Sequence, residues 1–270
     1  MKRRLRQRQI LELLQRDSEL SVDQACEWLH ASPATIRREF VELAREARVE
    51  KTWGGIRLLP GEPTRATPPA FASRLVVEAM AKKAIARAAA DLLSEGDVVM
   101  IGGGTTTLQL AEFIALKRLR IVTNSLAMAQ ALDQWKGSHR GAEIHLAGGL
   151  LQPESGFVAG SQTEAFIRQY HASWAFLGAA GIDETAATNY NEAVLASERL
   201  MIAQSARVAI LADHTKLGRK AMCLLCPLEG IDYLVTDEFE GNDELFERIA
   251  GEEVKVIRVP VKEDAQLRSG

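Results

Sequence analysis

An alternation that begins after Gly96 constrains this chain more than any other feature. Short apolar runs at 98–101, 120–123, 143–147, 173–178, 208–212, 233–236 and 254–259 are separated by stretches of helical periodicity. Strands that are each followed by a helix cannot join in hairpins. They pair in parallel instead, and the helices cover both faces of the sheet. The pattern predicts an α/β domain with a mostly parallel sheet. Ligands of such sheets bind outside the carboxyl ends of the strands, so the polar residues at those ends carry the functional information.

The segment ahead of this domain is of another kind. Residues 60–70 hold four of the chain's eight prolines, which blocks helix and ladder alike and predicts an extended linker. The expected division is a head over 1–59, a linker over 60–73 and a body over 74–270, a length that allows each domain its own core. The body opens with an apolar stripe of Leu75, Val76, Ala79, Met80, Ile85, Ala88, Ala89 and Leu92 that reads as one helix ending before Gly96.

Charge divides along the same line. Residues 1–57 carry 12 Lys/Arg against 9 Asp/Glu, leaving 21 against 27 for the rest, so a head of +3 precedes a body of −6. A basic head on an acidic body points to a polyanion met by the head alone. No apolar run approaches the roughly 20 residues of a membrane helix. Met1-Lys2-Arg3-Arg4 leads into a charged amphipathic helix, so a cytoplasmic location is expected. Cys26, Cys223 and Cys226 are too few for a disulfide framework; Cys223 and Cys226 sit in an apolar strand-like run and read as packing, with no metal or cofactor expected.

Within the head, Ile10, Leu13 and Leu14 mark the apolar stripe of a first helix whose other sides carry Arg3, Arg4, Arg6, Arg8 and Arg16. Ser21-Val22-Asp23-Gln24 has the form of a capping box and opens a second helix. After a turn at His30-Ala31, Ser32 is a favoured N-cap and Pro33 a favoured first residue for a third helix. Ile36, Phe40 and Leu43 face inward there, which turns Ala34, Thr35, Arg37 and Arg38 outward at the end a helix-turn-helix inserts into the major groove. Residues 49–59, with Gly54-Gly55 at the bend, predict a hairpin wing bearing Lys51. The candidate DNA-contacting set is Ser32, Ala34, Thr35, Arg37, Arg38 and Lys51.

In the body, the first strand runs into Gly102-Gly103-Gly104-Thr105-Thr106-Thr107 and then a helix. Glycines let backbone N–H groups converge, and hydroxyls and a helix start add donors, so this turn suits a phosphate. It is neither a Walker loop, lacking Gly-Lys-Ser/Thr, nor a dinucleotide fingerprint, lacking the third glycine and the later acid. Asn124 and Ser125 close the second strand, Gly148 and Gly149 the third, and Asp213-His214-Thr215-Lys216 follows the fifth, bringing a cation to a strand end.

These segments resemble the DeoR family of bacterial regulators. Ser32-Pro33-Ala34-Thr35-Ile36-Arg37-Arg38-Glu39-Phe40 followed by Trp53-Gly54-Gly55 is similar to the family's Ser-x-x-Thr-Ile-Arg-Arg-Asp-Leu and His-Gly-Gly. Glu39, Phe40, Ala47 and Trp53 depart from its usual Asp, Leu, Gly and His. In the body the family shows Asp-x-Gly-Thr-Thr, Thr-Asn-Ser and Asp-Ser-Ser-Lys-Phe-Gly, and here Gly102 replaces the first Asp. The resemblance implies a body similar to ribose-5-phosphate isomerase and CoA-transferase-like folds. It implies that Gly104, Thr105, Thr106, Asn124 and Lys216 contact a sugar phosphate, and that this effector relieves repression at a double-stranded operator. One small head binds weakly alone, so a homo-oligomer spanning two half-sites is expected.

The competing reading is a sugar-phosphate isomerase with a DNA-binding head. Isomerisation needs a carboxylate base, and Asp183-Glu184 is the nearest candidate, read as a solvated loop. The lost carboxylate at position 102 argues against catalysis.

Overall fold

A computed structural model describes residues 6–7, 9–10, 13–14, 19–29, 31–45, 49–52, 54–58, 71–152, 155–239 and 242–261. The chain divides into two compact units, Met1–Arg65 and Ala66–Gly270. The proline-rich segment 60–70, the turn residue His30, Arg3, Arg4, Arg8 and Arg16 of the first helix, and Ala47 and Trp53 lie outside the described residues.

The head forms from local signals. Ser21 N–H donates to Gln24 Oε1 at 2.9 Å and Gln24 N–H to Ser21 Oγ at 3.2 Å, the reciprocal box that opens the helix Val22–Leu29. Ile10, Leu14, Leu20, Ala25, Ile36, Leu43 and Ile56 are sealed from solvent in one cluster. Each large side chain among them contributes roughly 1.5–3 kcal/mol relative to exposure. Strands β1 (Glu19–Ser21), β2 (Val49–Thr52) and β3 (Gly55–Leu58) form an antiparallel sheet in the order β1-β3-β2. The hairpin of β2 and β3 is the wing; β1, three residues long, is too short to leave a period in the sequence. A Cβ at Gly55 would lie 2.3 Å from the Leu20 carbonyl oxygen, so the β1–β3 pairing needs glycine there.

In the body the strands are β4 (Val98–Ile101), β5 (Arg120–Thr123), β6 (Glu143–Leu146), β7 (Leu150–Gln152), β8 (Phe157–Ala159), β9 (Trp174–Gly178), β10 (Gly181–Ile182), β11 (Ala186–Asn189), β12 (Val208–Leu211), β13 (Cys223–Pro227), β14 (Tyr233–Asp237) and β15 (Lys255–Val259). Seven of them make one parallel sheet, ordered β15-β14-β12-β9-β4-β5-β6. They are the seven apolar runs of the sequence. Side chains alternate between its faces: Val99, Ile101, Trp174 and Phe176 pack with Ile85, Ala89 and Ile114, while Met100, Ala175 and Leu177 pack with Leu195 and Met201. Both faces are covered, which is why the strands read as continuous apolar runs.

The sequence order reverses at β4. From it the chain moves outward through β5 and β6, then returns to place β9, β12, β14 and β15 on the other side. A doubly wound sheet opens a crevice at such a reversal, here between the carboxyl ends of β4 and β9. Smaller pieces border the sheet: a ribbon of β7 and β8, and an antiparallel sheet β10-β11-β13 that uses the Cys223–Pro227 strand.

The single helix expected over 75–92 is two. Phe71–Val76 and Ala79–Ala90 are separated at Glu78, whose φ of 51° is left-handed. The buried face of the second helix is Ala81, Lys82, Ile85, Ala86, Ala89 and Ala90, while Val76 and Met80 are exposed. The buried Lys82 Nζ donates to the main-chain carbonyls of Arg74 and Val77, fixing the break. No helix among the described residues is long and apolar enough to cross a membrane.

Candidate functional site

In the head, Ser32 caps the helix Pro33–Arg45: its carbonyl accepts from Ile36 N–H at 3.0 Å and its hydroxyl lies 2.9 Å from Thr35 Oγ1. Ile36 and Phe40 point into the core, which leaves Ala34, Arg37 and Arg38 exposed at the helix start and Thr35 half-buried. Glu39, on the same helix, is buried against Arg6, with Nη2 to Oε1 at 2.6 Å. It therefore anchors the first helix to the third. Lys51 is exposed on β2, and Arg57 and Glu50 pair across the wing at 2.9 Å.

In the body, the Gly-Thr turn lies at the reversal point. Gly102 N–H donates to Phe176 O on β9 at 3.0 Å, and Thr107 Oγ1 donates back to Gly102 O at 2.9 Å, closing the turn. Thr107 is therefore structural. Gly103 and Gly104 are half-buried, and a Cβ at Gly103 would meet Phe157 at 3.1 Å. The helix that follows, Thr105–Leu108, is one turn long before a second begins at Leu110, so its dipole adds less than a long helix would.

Neighbouring strand ends are partly committed to structure. Asn124 Nδ2 donates to Val158 O at 3.2 Å, while its buried Oδ1 has no hydrogen-bond partner among the described residues. Ser125 Oγ accepts from Met128 N–H, capping the helix Leu126–Lys136. Gly148 and Gly149 lie at the sheet's edge and lead into the β7–β8 ribbon; Thr163 Oγ1 donates to Gly148 O at 2.8 Å, and a Cβ at Gly149 would strike that hydroxyl. On the other side of β4, β9 ends at Gly178, whose Cα lies 4.0 Å from where a Gly104 Cβ would stand. Small residues, Gly178-Ala179-Ala180, follow β9, and Lys216 follows the next strand, β12.

Lys216 is partly exposed, its Nζ 2.9 Å from Thr215 Oγ1 and 3.9 Å from Asp213 Oδ1. Burial lowers its ammonium below the ordinary range, with Asp213 opposing and Arg219 and Arg74 adding to the shift. Asp213 is sealed from solvent; Oδ1 accepts from Thr215 and Oδ2 has no hydrogen-bond partner among the described residues. His214 Nδ1 lies 2.6 Å from Asp237 Oδ2, and its ring stacks on Phe239 at 4.1 Å. These contacts hold the Lys216 turn rigid.

Half-buried Arg74 and buried Lys82, Glu198 and Asp237 are ionisable groups that escaped the sequence reading. Arg74 and Lys82 lie within electrostatic reach of Lys216; Lys82 falls on the buried stripe of its helix, a misplacement visible in the sequence. Glu198, fully buried on the helix Glu192–Ala203, gave no local signal. Its Oε1 would lie 3.5 Å from a Cβ at Gly102, so a carboxyl already stands beside the position where the family resemblance implies one.

Asp183 is not in a solvated loop. It is buried in the β10–β11 turn, accepting from Thr185 N–H, Thr185 Oγ1 and Ala186 N–H, with Lys220 Nζ at 2.9 Å. Burial raises its carboxyl, but the hydrogen bonds from Thr185 and Lys220 outweigh that and leave it below the ordinary range. A carboxylate so satisfied is a turn former and a poor base. Burial likewise pushes the Cys226 thiol up to about 12, which suits packing and not reactivity.

A winged helix-turn-helix joined to a doubly wound α/β body defines a class, the DNA-binding regulator that carries its own sensor. Residues 6–60 match the DeoR-like helix-turn-helix domain and residues 77–238 the DeoR C terminal sensor domain. The chain belongs to the DeoR family of transcriptional regulators. It is 32% identical over 233 residues to the HTH-type transcriptional repressor GlcR of Bacillus subtilis, covering 86% of this chain and 88% of that one. It is also 32% identical over 241 residues to the glycerol-3-phosphate regulon repressor of Escherichia coli, covering 88% and 92%. A solved structure of ribose 5-phosphate isomerase A from Methanocaldococcus jannaschii superposes on 52% of the chain and 54% of its own at 16% identity, with a TM-score of 0.38.

Proposed function

We propose that this chain is a cytoplasmic repressor that binds double-stranded operator DNA and loosens its grip when a phosphorylated sugar or related metabolite occupies the body. The observation that carries the reading is Lys216, a partly buried cation that follows β12, in a sheet where β9 alone separates β12 from the β4 strand that runs into the Gly-Thr turn. The head contacts DNA through Ser32, Ala34, Thr35, Arg37 and Arg38 in the major groove, with Lys51 on the backbone beside it. Gly103, Gly104, Thr105, Thr106, Asn124 and Lys216 receive the effector, and Gly102, Ser125, Gly148 and Gly149 shape the strand ends around them.

The working division is a head over 1–59, a linker over 60–73 and a sensor over 74–270. A homo-oligomer supplies two heads to a two-fold operator. The names of the relatives, which include a glycerol-3-phosphate regulon repressor, support a phosphate-bearing effector. The commitment of Asp183 to its turn supports binding without catalysis.

The test is selection of duplex DNA from a random pool by the full chain, followed by gel shifts with sugar phosphates and their free sugars. Enrichment of one two-fold sequence, released by phosphates and not by free sugars, is the expected result. No enrichment refutes operator binding; equal release by free sugars refutes the phosphate site.

A further inference from the structure

We infer that β6 is a docking edge for a second copy of this chain, the two β6 strands pairing antiparallel about a two-fold axis through Ile144, so that one sheet runs through both bodies. This assignment rests on the proposed homo-oligomer and gives it a surface.

The sheet has two outer strands, and they are finished differently. β15 reads Lys255-Val256-Ile257-Arg258-Val259 and is followed by Pro260. Charged side chains and a nearby proline are the usual guards of a free edge, because they make the addition of another strand costly. β6, Glu143-Ile144-His145-Leu146, has no Lys, Arg or Pro. It lies against β5 on one side and packs with the helix Leu126–Lys136, and no strand pairs with its other side among the described residues. Glu143 and Ala147 N–H donate to Leu119 O and Thr123 O, at either end of β5, at 2.8 and 2.9 Å. Backbone directions alternate along a strand, so Ile144 and Leu146 turn their N–H and C=O groups outward.

Apolar side chains gather at the same edge. Leu146 is exposed on β6 and Leu150 and Leu151 on β7, which follows it; Leu150 is 72% exposed. Trp135, near the end of the helix that packs with β6, is exposed as well. Apolar surface beside an open ladder marks a contact surface.

Charge and register select a second copy as the occupant. In a two-fold antiparallel pair, facing residues must lie on the same face of the sheet, so the axis passes through a residue and not between two. An axis at Glu143 sets that carboxylate against its own copy, which is unfavourable. An axis at His145 sets His145 against itself and leaves each Glu143 facing Ala147. An axis at Ile144 sets each Glu143 opposite His145 of the other copy, an acceptor against a donor, and does so twice. Within one chain Glu143 already meets His145 Nε2 at 3.0 Å and Arg120 Nε at 3.6 Å. The second copy therefore extends an existing row of alternating sign. Ile144 then exchanges two hydrogen bonds with its counterpart, and each Leu146 N–H reaches the Ala142 carbonyl of the other copy. A two-fold between bodies is also the symmetry that a two-fold operator requires.

The test uses the full chain, read by analytical ultracentrifugation and by disulfide trapping. Leu146→Pro removes an outward N–H and takes nothing from the β5 ladder. It is expected to raise the dissociation constant of the oligomer roughly ten- to a hundredfold, through the loss of two hydrogen bonds across the axis. Glu143→Cys combined with His145→Cys puts cysteines in facing positions whose Cα atoms stand about 4.5 Å apart in such a ladder, within disulfide reach. Mild oxidation should link two copies through bonds between positions 143 and 145, identified by mass spectrometry. If His145→Cys alone links two copies as readily, the axis lies elsewhere and the register is refuted. If the chain is an oligomer that Leu146→Pro leaves intact and the paired cysteines do not link, the copies meet on another surface, and the β6 edge is wrong while the oligomer stands. If the unaltered chain is a monomer at micromolar concentration, the oligomer reading falls and takes this inference with it.

Discussion

Replacing Glu198 with Gln isolates the cost of the buried carboxyl beside the Gly-Thr turn. Glu198 is sealed from solvent; Oε2 accepts from Asn189 Nδ2 at 3.3 Å and Oε1 has no hydrogen-bond partner among the described residues. Burial, opposed only by the Asn189 hydrogen bond, pushes its carboxyl from an ordinary 4.5 up to about 8. Between those two values the folded chain keeps a proton that the unfolded chain has released. Folding stability therefore falls with rising pH by about 1.4 kcal/mol per unit. Across pH 5 to 8 the loss is on the order of 4 kcal/mol, and above pH 8 both states are ionised and the slope ends. Gln has nearly the same shape, still accepts from Asn189 and cannot ionise. Urea unfolding of the body in half-unit steps from pH 5 to 9, for both proteins, should show the variant gaining on the parent through the window and the more stable at pH 8. Parallel curves between pH 5 and 8 would refute the reasoning, because they would mean that no proton is taken up on folding.

Arg37→Ala or Arg38→Ala should each weaken selected operator binding by about 1–3 kcal/mol for a bidentate base contact; anisotropy titrations showing unchanged affinity with an intact fold would take that residue out of the interface. The logarithm of affinity should fall linearly with the logarithm of salt, at about −0.9 per phosphate neutralised, and a flat dependence would contradict a basic head on DNA. Gly102→Asp places a Cβ 2.7 Å from Leu177 Cδ2 and a second carboxylate beside Glu198; it should cost about 1–3 kcal/mol by overpacking alone, and an unchanged melting temperature would count against that crowding. Gly55→Ala drives a Cβ into the Leu20 carbonyl and should lower the head's melting transition while leaving the body's in place; a head that melts as before would show that β1 is dispensable.

What the sequence disclosed and what it hid follow from distance along the chain. The Ser21–Gln24 box and the Ser32 cap are contacts over three residues, so their partners are adjacent in the text. The seven parallel strands were legible because burial on both faces makes each a solid apolar run. Strand β1 and the hairpin partners β7, β8, β10 and β11 are two to four residues long and owe their existence to pairing, which leaves no period. The helix break at Glu78 hid because Leu75, Val76, Ala79 and Met80 imitate a continuing stripe; only the fold shows Val76 and Met80 in solvent. Gly102 to Thr107 and Lys216 carry local motifs, whereas Arg74 and Lys82 act on Lys216 from over 130 residues away and Glu198 stands beside Gly102 from 96 away. Their roles are tertiary and have no spelling in one dimension.

The reversal at β4 also sets an order in time. Val99 on β4 pairs with Trp174 on β9, 75 positions later, and Lys216 arrives later still. A ribosome adding about 5–20 residues each second releases the head's last strand roughly 10–30 s before Lys216. The head's core, closed within the first 58 residues, can fold during that interval, while the crevice has no second side. Each newly made molecule thus passes through a stage in which its helix-turn-helix core is complete and its sensor sheet is not.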